Sequence, residues 1–306
     1  MKPLRLKPVY VKSIWAGNRL RNIRKLTEEE FGISREICAY KNSENVIADG
    51  EYAGKSIKEL IDNHHKELMG DDPNDQLIRV AYIDAIEDLS IQVHPKEEFA
   101  KKINDYEKSE SWYILEAEEG AYITAGVKIK DKDLLRKAAE DGTLEKYIQR
   151  IPVKEGDFAL IPAGMLHACG KNMLAIEIGS FGGITYRIYD YGRPRPLDLE
   201  KGISILDPNL KCEVRHFPMS EVPENSLKIG VQHSLFQVNI IDVTKEMEII
   251  SDEHYYVLTC VKGNCLVECS GEVYPLAYTE TLLIPASAGN VKVKGHCRLL
   301  KSYYPR

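Results

Sequence analysis

The chain has 306 residues and a formal net charge of −6, from 41 Lys and Arg residues against 47 Asp and Glu residues. The charges are dispersed and form no basic block, which argues against nucleic acid and anionic membrane surfaces as main partners. No apolar run approaches the ~20 residues of a membrane span, and the first residues lack an apolar signal core. The length suits two domains, and we expect a soluble, cytoplasmic protein.

The first clear element is a helix over residues 56–69, with Ser56 as its candidate cap. Strands are predicted from Leu77 onward. In the first strand of the stretch 87–116, polar Ser90, Gln92 and His94 alternate with apolar residues. Because strand side chains alternate between two faces, these three polar groups share one face, which we interpret as a pocket.

The second strand of this stretch carries Lys108 and Glu110 on one face by the same rule. A further donor follows in residues 156–167, where an apolar strand ends in a Pro-x-Gly turn that fixes the position of His167. Two imidazoles, a carboxylate and an amide oxygen form a mixed set of nitrogen and oxygen donors. Such a set suits catalytic zinc with an open position, and iron, manganese, cobalt and nickel fit it as well.

The remaining elements of this half are a Lys/Glu-rich helix over residues 132–147, broken at Asp141-Gly142, and two strands. In the first strand Glu177 lies opposite an apolar face, and in the second Arg187 shares a face with two tyrosines. Two prolines in residues 192–196 indicate a linker. A short helix is predicted at 197–205.

Strands dominate the rest of the chain, from about Lys211 to the end. Residues 279–290 repeat the motif of residues 156–167, with Asn290 in place of the histidine. This internal repeat predicts two related domains, with the ligand function absent from the second. We interpret the seven cysteines as reduced core thiols, because they form no even disulfide framework.

The spacing Gly, five residues, Pro, one, Gly, two, His in residues 156–167 matches the second sequence motif of the cupin barrels, whose histidine binds a metal. Gln92-x-His94 stands where the first cupin motif usually has His-x-His, and Glu110 follows late. With Thr185–Asp190, this pattern resembles the type I mannose-6-phosphate isomerases, particularly the short bacterial and archaeal form. The resemblance covers most of residues 1–200 and is dense only at these four places.

This resemblance implies a mainly β fold of two cupin-type barrels, a bicupin, with a small helical insertion. Residues 1–205 would be the metal-binding cupin domain, with helical insertions, and residues 206–306 a degenerate C-terminal cupin domain. One Zn²⁺ per chain is the expected cofactor. The implied ligands are Gln92, His94, Glu110 and His167.

The implied reaction interconverts mannose 6-phosphate and fructose 6-phosphate through an enediol or enediolate. This reaction needs a base that moves a proton next to a carbonyl, and both Lys108 and Glu177 are candidates. Arg187 stands where the family has its active-site arginine, and a guanidinium suits a phosphate or an enediolate oxygen. Ser90, Lys108 and Arg187 are the predicted substrate-binding residues.

The sequence also departs from the family pattern. Ala81 stands where the family has a lysine expected near the phosphate, and residues 179–183 are Gly-rich where the family has a polar loop. A cupin that acts on another sugar phosphate, a cupin oxygenase or epimerase, and a sugar-binding cupin without turnover are therefore the alternatives. The sequence leaves open whether the protein is a monomer or a homo-oligomer.

Overall fold

The computed structural model describes residues 1–27, 30–218 and 224–305. The protein is mainly β, as predicted, with 41% of residues in strands and 16% in helices. In the described part of the chain, no helix combines the length and the apolar character needed to cross a membrane. The strands are β1 (Leu6–Lys7), β2 (Val9–Val11), β3 (Ile33–Ile37), β4 (Val46–Ile47), β5 (Arg79–Ala85), β6 (Ile91–Val93), β7 (Glu110–Ala117), β8 (Tyr122–Val127), β9 (Ile148–Pro152), β10 (Asp157–Ile161), β11 (His167–Cys169), β12 (Met173–Gly179), β13 (Tyr186–Tyr189), β14 (Val214–His216), β15 (Ser226–His233), β16 (Phe236–Val243), β17 (Glu246–Ile249), β18 (Tyr256–Cys269), β19 (Glu272–Ala277), β20 (Thr281–Ile284) and β21 (Val291–Tyr303). The α-helices are α1 (Arg19–Arg24), α2 (Ile57–Met69), α3 (Glu97–Ala100), α4 (Lys132–Glu140) and α5 (Leu199–Ile205).

The chain divides into two compact units. Residues 11–33 and 82–218 form the first, here called the site unit because it contains every residue predicted for the active site. Residues 1–10, 34–81 and 219–306 form the second, here called the C-terminal unit.

The site unit contains strands from two sheets. From the first, a seven-stranded sheet, it contains the run of neighbouring strands β14-β10-β7-β12-β5, and the second has the order β13-β6-β11-β8-β9. A shared hydrophobic cluster includes Trp112 and Ala159 from the first sheet and Ile123 and Ala125 from the second. The core of this unit therefore lies between the two sheets.

These sheets do not close into a barrel, so the predicted barrel geometry is corrected. Strands β6, β11 and β13 of the second sheet have only three or four residues each. Among the described strands, backbone pairing does not continue from one sheet to the other. Side-chain packing holds the two sheets together instead.

The predicted helical insertion is confirmed. Helix α4 begins after Asp131, whose carboxylate accepts hydrogen bonds from the first-turn backbone N–H groups. It ends at Glu140, and Gly142, at φ +69°, separates it from a short 3₁₀ turn. Leu135 and Ala138 of α4 pack into the core cluster. Helix α5 forms where the short helix was predicted.

The C-terminal unit is built on a sheet with the order β15-β16-β21-β18-β19, to which β17 and β20 add. Helix α2 belongs to this unit, and Ser56 caps it, as predicted; the structure adds a capping box with Glu59. The internal repeat is visible in the backbone, because Thr279 has φ +71° where Gly156 of the first motif has φ +84°. The cysteines of the chain are unpaired, and Cys265 lies in the core of this unit.

Candidate metal centre

Three short strands bring the predicted polar residues together. In the second sheet of the site unit, Gln92 of β6 lies directly opposite His167 of β11 on one side and Arg187 of β13 on the other. Residues that are directly opposite on neighbouring strands project from the same face. Gln92, His167 and Arg187 therefore share the face that the alternation in β6 predicted.

Glu110 approaches this face as the first residue of β7, in the other sheet. Its Oε1 lies 3.1 Å from His94 Nε2, and its Oε2 lies 3.7 Å from His167 Nε2. All three side chains are about 1% exposed. Each offers a ligand atom, and these atoms all lie within 4.8 Å of one another. Among the described residues, this is the group of His, Cys, Asp and Glu side chains that could hold a metal ion.

The backbone fixes which ring nitrogen of each histidine faces the centre. His94 Nδ1 lies 2.9 Å from the carbonyl oxygen of Ile184, and His167 Nδ1 lies 2.9 Å from that of Met165. A carbonyl only accepts hydrogen bonds, so each Nδ1 carries the proton and each Nε2 presents a lone pair. Such an orienting bond on the distal nitrogen is typical of metal-binding histidines.

Two buried atoms at the centre, His94 Nε2 and Glu110 Oε2, have no hydrogen-bond partner within the described protein, while Glu110 Oε1 has the ammonium group of Lys108 at 2.8 Å. Buried polar atoms are nearly always paired, because leaving them unpaired costs free energy. Two imidazole nitrogens and a carboxylate that converge in this way fit a divalent metal ion.

The electrostatics of the centre favour the protonation states that a metal needs. Burial lowers the pKa of His94 from 6.5 to about 3, and the nearby Lys108 charge adds to the effect. Burial likewise lowers the pKa of His167. Burial alone would raise the pKa of Glu110, but the positive charge of Lys108 holds it well below its usual value. The histidines are therefore neutral and the carboxylate is charged near pH 7.

Gln92 and Lys108 complete the group around the three buried side chains. The Gln92 amide nitrogen lies 3.4 Å from His167 Nε2, into whose lone pair it can donate. Lys108 Nζ lies 2.8 Å from Glu110 Oε1, and its side chain is 10% exposed. Lys108 thus supplies the charge that balances the buried carboxylate.

Arg187 is held at the rim of this face. Its Nε donates to Ser90 Oγ at 3.2 Å, and its Nη1 donates to the carbonyl of Pro196 at 2.9 Å. Ser90 is buried and Arg187 is half-buried. Two of the three guanidinium nitrogens are thereby occupied, which fixes the orientation of the planar group.

Glu177 lies on β12, directly opposite Trp112 of β7. The Trp112 ring contacts the His167 ring edge-on, with 5.7 Å between centroids. Glu177 is half-buried on the face that it shares with Trp112. The structure therefore places Glu177 on the side of β12 that faces the core, and its catalytic role stays a prediction.

Sequence reasoning missed two serines and a loop carbonyl that support the centre. Ser109 and Ser180 are buried; the N–H of Ser109 donates to the hydroxyl of Ser180, and the N–H of Ser180 donates to the carbonyl of Ser109. The carbonyl of Ile184 orients His94. A serine between Lys108 and Glu110 was visible in the sequence. Its partners were not, because they depend on which distant segments meet.

Comparison with known proteins agrees with the fold. The family model described as mannose-6-phosphate isomerase, cupin domain, matches residues 228–304. The putative mannose-6-phosphate isomerase YvyI of Bacillus subtilis is 30% identical over 318 residues, covering 98% of this chain and 98% of that protein. The mannose-6-phosphate isomerase ManA of the same organism is 29% identical over 315 residues, covering 99% of each. The crystal structure of the mannose 6-phosphate isomerase from Bacillus subtilis has a TM-score of 0.91 at 29% identity and covers 99% of this chain and 100% of that chain.

The fold and the buried His-Glu-His group define a cupin protein with a candidate metal centre. The similarity extends over nearly the whole chain, well beyond the residues of the centre. The chain belongs to the mannose-6-phosphate isomerase family.

Proposed function

We propose that the chain is a metal-dependent aldose–ketose isomerase that interconverts mannose 6-phosphate and fructose 6-phosphate through an enediol or enediolate. The observation that carries this proposal is the buried convergence of ligand atoms from His94, Glu110 and His167 in a chain of this family. A binding module without turnover would not need a lysine and an arginine beside such a centre.

Gln92, His94, Glu110 and His167 would hold the metal, with one Zn²⁺ per chain as the proposed ion. The mixed nitrogen and oxygen donors also suit manganese, iron, cobalt and nickel. When bound, the ion supplies a Lewis acid that polarises and orients the substrate oxygens.

Isomerisation moves a proton from C2 of the aldose to C1. A base removes the C2 proton, and the electron pair left behind forms the C1–C2 double bond of the enediol as the carbonyl oxygen gains charge or a proton. Return of the proton to C1, with loss of the O2 hydroxyl proton as the C2 carbonyl forms, gives the ketose. Lys108, with its Nζ 2.8 Å from Glu110 Oε1, and Glu177, opposite Trp112, are both candidates for the base.

Arg187 and Ser90 would hold the charged part of the substrate. The guanidinium is kept in place by Ser90 and by the carbonyl of Pro196, so its plane is oriented before substrate arrives. A fixed guanidinium can bind a phosphate or stabilise an enediolate oxygen. Lys108 would contribute a second positive charge.

The finer organisation remains part of the proposal. We expect a bicupin with the metal-binding domain in residues 1–205 and a degenerate cupin domain in residues 206–306. We further expect the enzyme to act in the cytoplasm on a small sugar phosphate, with neither nucleic acid nor membrane as partner. Monomeric and homo-oligomeric states are both compatible with this function.

A coupled assay with mannose 6-phosphate, run with metal analysis of the same sample, tests the proposal. We expect turnover that is lost after chelation and restored by Zn²⁺. Turnover that persists in demonstrably metal-free protein would exclude the metal role. A metal-loaded protein that is inactive on mannose 6-phosphate but active on another sugar phosphate would favour the first alternative, and one without any turnover would favour a sugar-binding cupin.

A further inference from the structure

A buried hydrogen-bond network connects the three segments that carry the candidate metal centre. The first segment is the start of β7, with Lys108 and Glu110. The second is the Pro162–Gly164 turn that precedes His167. The third is the loop after β12, which contains the carbonyl of Ile184.

Ser109 connects the first two segments. Its hydroxyl accepts a hydrogen bond from the backbone N–H of Ala163 at 2.9 Å and donates to Glu107 Oε1 at 2.8 Å. Ala163 lies in the turn whose next residue, Gly164, donates its N–H to the carbonyl of His94 at 2.9 Å. Through Ser109, the strand that carries Glu110 is thus tied to the turn that precedes His167.

Ser180 connects the first and third segments. Its hydroxyl accepts from the backbone N–H of Ser109 at 2.9 Å and donates to the carbonyl of Glu107 at 2.8 Å. Its own N–H donates to the carbonyl of Ser109 at 2.9 Å. Both hydroxyls therefore use a donor and an acceptor inside the protein, with Ser109 0% and Ser180 1% exposed.

Two glycines allow this close approach. A Cβ on Gly179 would lie 2.5 Å from the carbonyl oxygen of Ser109, and one on Gly182 would lie 2.3 Å from that of Tyr106. Real Cβ atoms are essentially never found at such distances. The backbone of the Gly-rich loop therefore packs directly against the segment at the start of β7. Two residues after Gly182, the carbonyl of Ile184 accepts a hydrogen bond from His94 Nδ1.

We infer that Ser109 and Ser180 are positioning residues for the metal centre. They fix Glu110, the turn before His167 and the carbonyl that orients His94 relative to one another, although the hydrogen bonds of the two hydroxyls involve no predicted ligand side chain. The inference rests on the proposed function, because it assigns the network to metal binding and not only to folding.

Metal affinity measured with Co²⁺ tests this inference. The variants are Ser109→Ala and Ser180→Ala, and the matched control is Ser111→Ala. Ser111 lies on the same strand, is 0% exposed and donates to the carbonyl of Ile178 at 2.8 Å, but it reaches neither the turn nor the Ile184 carbonyl. Competition with a chelator gives the affinity, the visible absorption of bound Co²⁺ reports ligand geometry, and the Tm of the metal-free protein reports folding.

We expect both test variants to bind Co²⁺ about ten-fold or more weakly than wild type, in the range seen for residues that orient metal ligands, with an altered absorption spectrum. The control should lower the Tm of the metal-free protein by a similar amount and leave affinity and spectrum unchanged. Wild-type affinity and spectrum in both test variants would overturn the inference, as would equal weakening by Ser111→Ala. If wild type itself binds no stoichiometric Co²⁺, the proposed function fails, and the inference fails with it.

Discussion

Arg187 Nε donates a hydrogen bond to the hydroxyl of Ser90, 3.2 Å away across two neighbouring strands. Arg187 lies on β13, and Ser90 immediately precedes β6, whose Gln92 lies directly opposite Arg187. The guanidinium is thus fixed from the segment that carries two of the predicted ligands, Gln92 and His94. The group that binds the charged part of the substrate and two of the metal ligands would therefore be positioned by the same segment of the chain.

Replacement of Arg187 should therefore damage catalysis strongly. Losing a fixed charged partner typically costs ~2 to 5 kcal/mol, or roughly thirty-fold to several thousand-fold in kcat/KM. We expect Arg187→Ala to fall in this range with mannose 6-phosphate. Arg187→Lys should also be poor, because a point charge does not reproduce the planar fork. Steady-state kinetics on mannose 6-phosphate and on unphosphorylated mannose measure both effects.

The control for this series is Arg136→Ala, since Arg136 lies on α4 and forms ion pairs with Asp133 of the same helix and Glu200 of α5. It should keep kcat/KM within a few-fold of wild type. If Arg187→Ala lowers activity on both substrates by the same factor, Arg187 serves the enediolate and not the phosphate. Unchanged activity on both would show that Arg187 is outside the active site.

His167→Ala should remove stoichiometric metal while the fold stays largely intact. The imidazole is one of three buried ligand groups, so its loss should weaken binding by more than the roughly 10–100-fold typical of an outer partner. Metal analysis after dialysis and far-UV circular dichroism measure the two quantities. The matched control is His216→Ala, because His216 is exposed and pairs only with Asp157 among the described residues, at 2.7 Å. Full metal occupancy in the His167 variant would refute the ligand assignment.

The metal-free protein should become less stable as the pH falls below about 6.5. His94 has a folded-state pKa of about 3 against an ordinary 6.5, so the unfolded chain binds the extra proton in this interval. Stability from neutral His94 is therefore complete above 6.5 and is lost as the pH falls toward 3. Glu110 acts in the same direction at lower pH, because its pKa is lowered too.

Thermal unfolding of chelated wild type and His94→Gln, at pH values of about 7.5 and 5.5, tests this. Between these pH values the Tm of wild type should fall by at least about 3 °C more than the Tm of the variant. This corresponds to a difference of order 1 kcal/mol in the free energy of unfolding. The comparison with the variant is needed because burial raises the pKa of Asp84, which acts in the opposite sense. Parallel pH profiles would mean that His94 is not buried in its neutral form.

Asn290→Ala should leave turnover within a few-fold of wild type. In the structure Asn290 Oδ1 accepts from the backbone N–H of Ser251 at 3.0 Å, and its Nδ2 donates to Glu248 at 3.2 Å. These bonds stabilise a turn. Their loss should therefore lower the free energy of unfolding by ~0.5–1.5 kcal/mol, which denaturant titration measures. Loss of metal or of most activity would mean that the second motif contributes to the site.

The site could be predicted from sequence where local rules determine it. The two-residue period of a strand placed Gln92 and His94 on one face, and the turn after β10 fixed the position of His167, which begins β11. Local rules also located α2 and α5 and the break after Glu140. In each case the residues that determine the feature are close together in the sequence.

Features that depend on pairing between distant segments could not be predicted. The role of Ser109 depends on its hydrogen bonds with the turn at Ala163 and the loop at Ser180, which are distant in sequence. The sequence analysis also did not predict that the sheets are open. The family resemblance implied a closed barrel, and the exact lengths of the strands could not be derived from the sequence. The Gly-rich loop, which the sequence presented only as a departure from the family, proved to be a close backbone contact.

This contact at Gly179 and Gly182 has a consequence for laboratory evolution of the enzyme. Both positions lack space for any side chain, for reasons unrelated to the substrate. A library randomised over residues 179–183 should return glycine at these two positions whichever sugar is used for selection. Ser180 is constrained as well, by its buried hydrogen bonds, so variation that changes substrate preference should be recovered at Phe181 and Gly183.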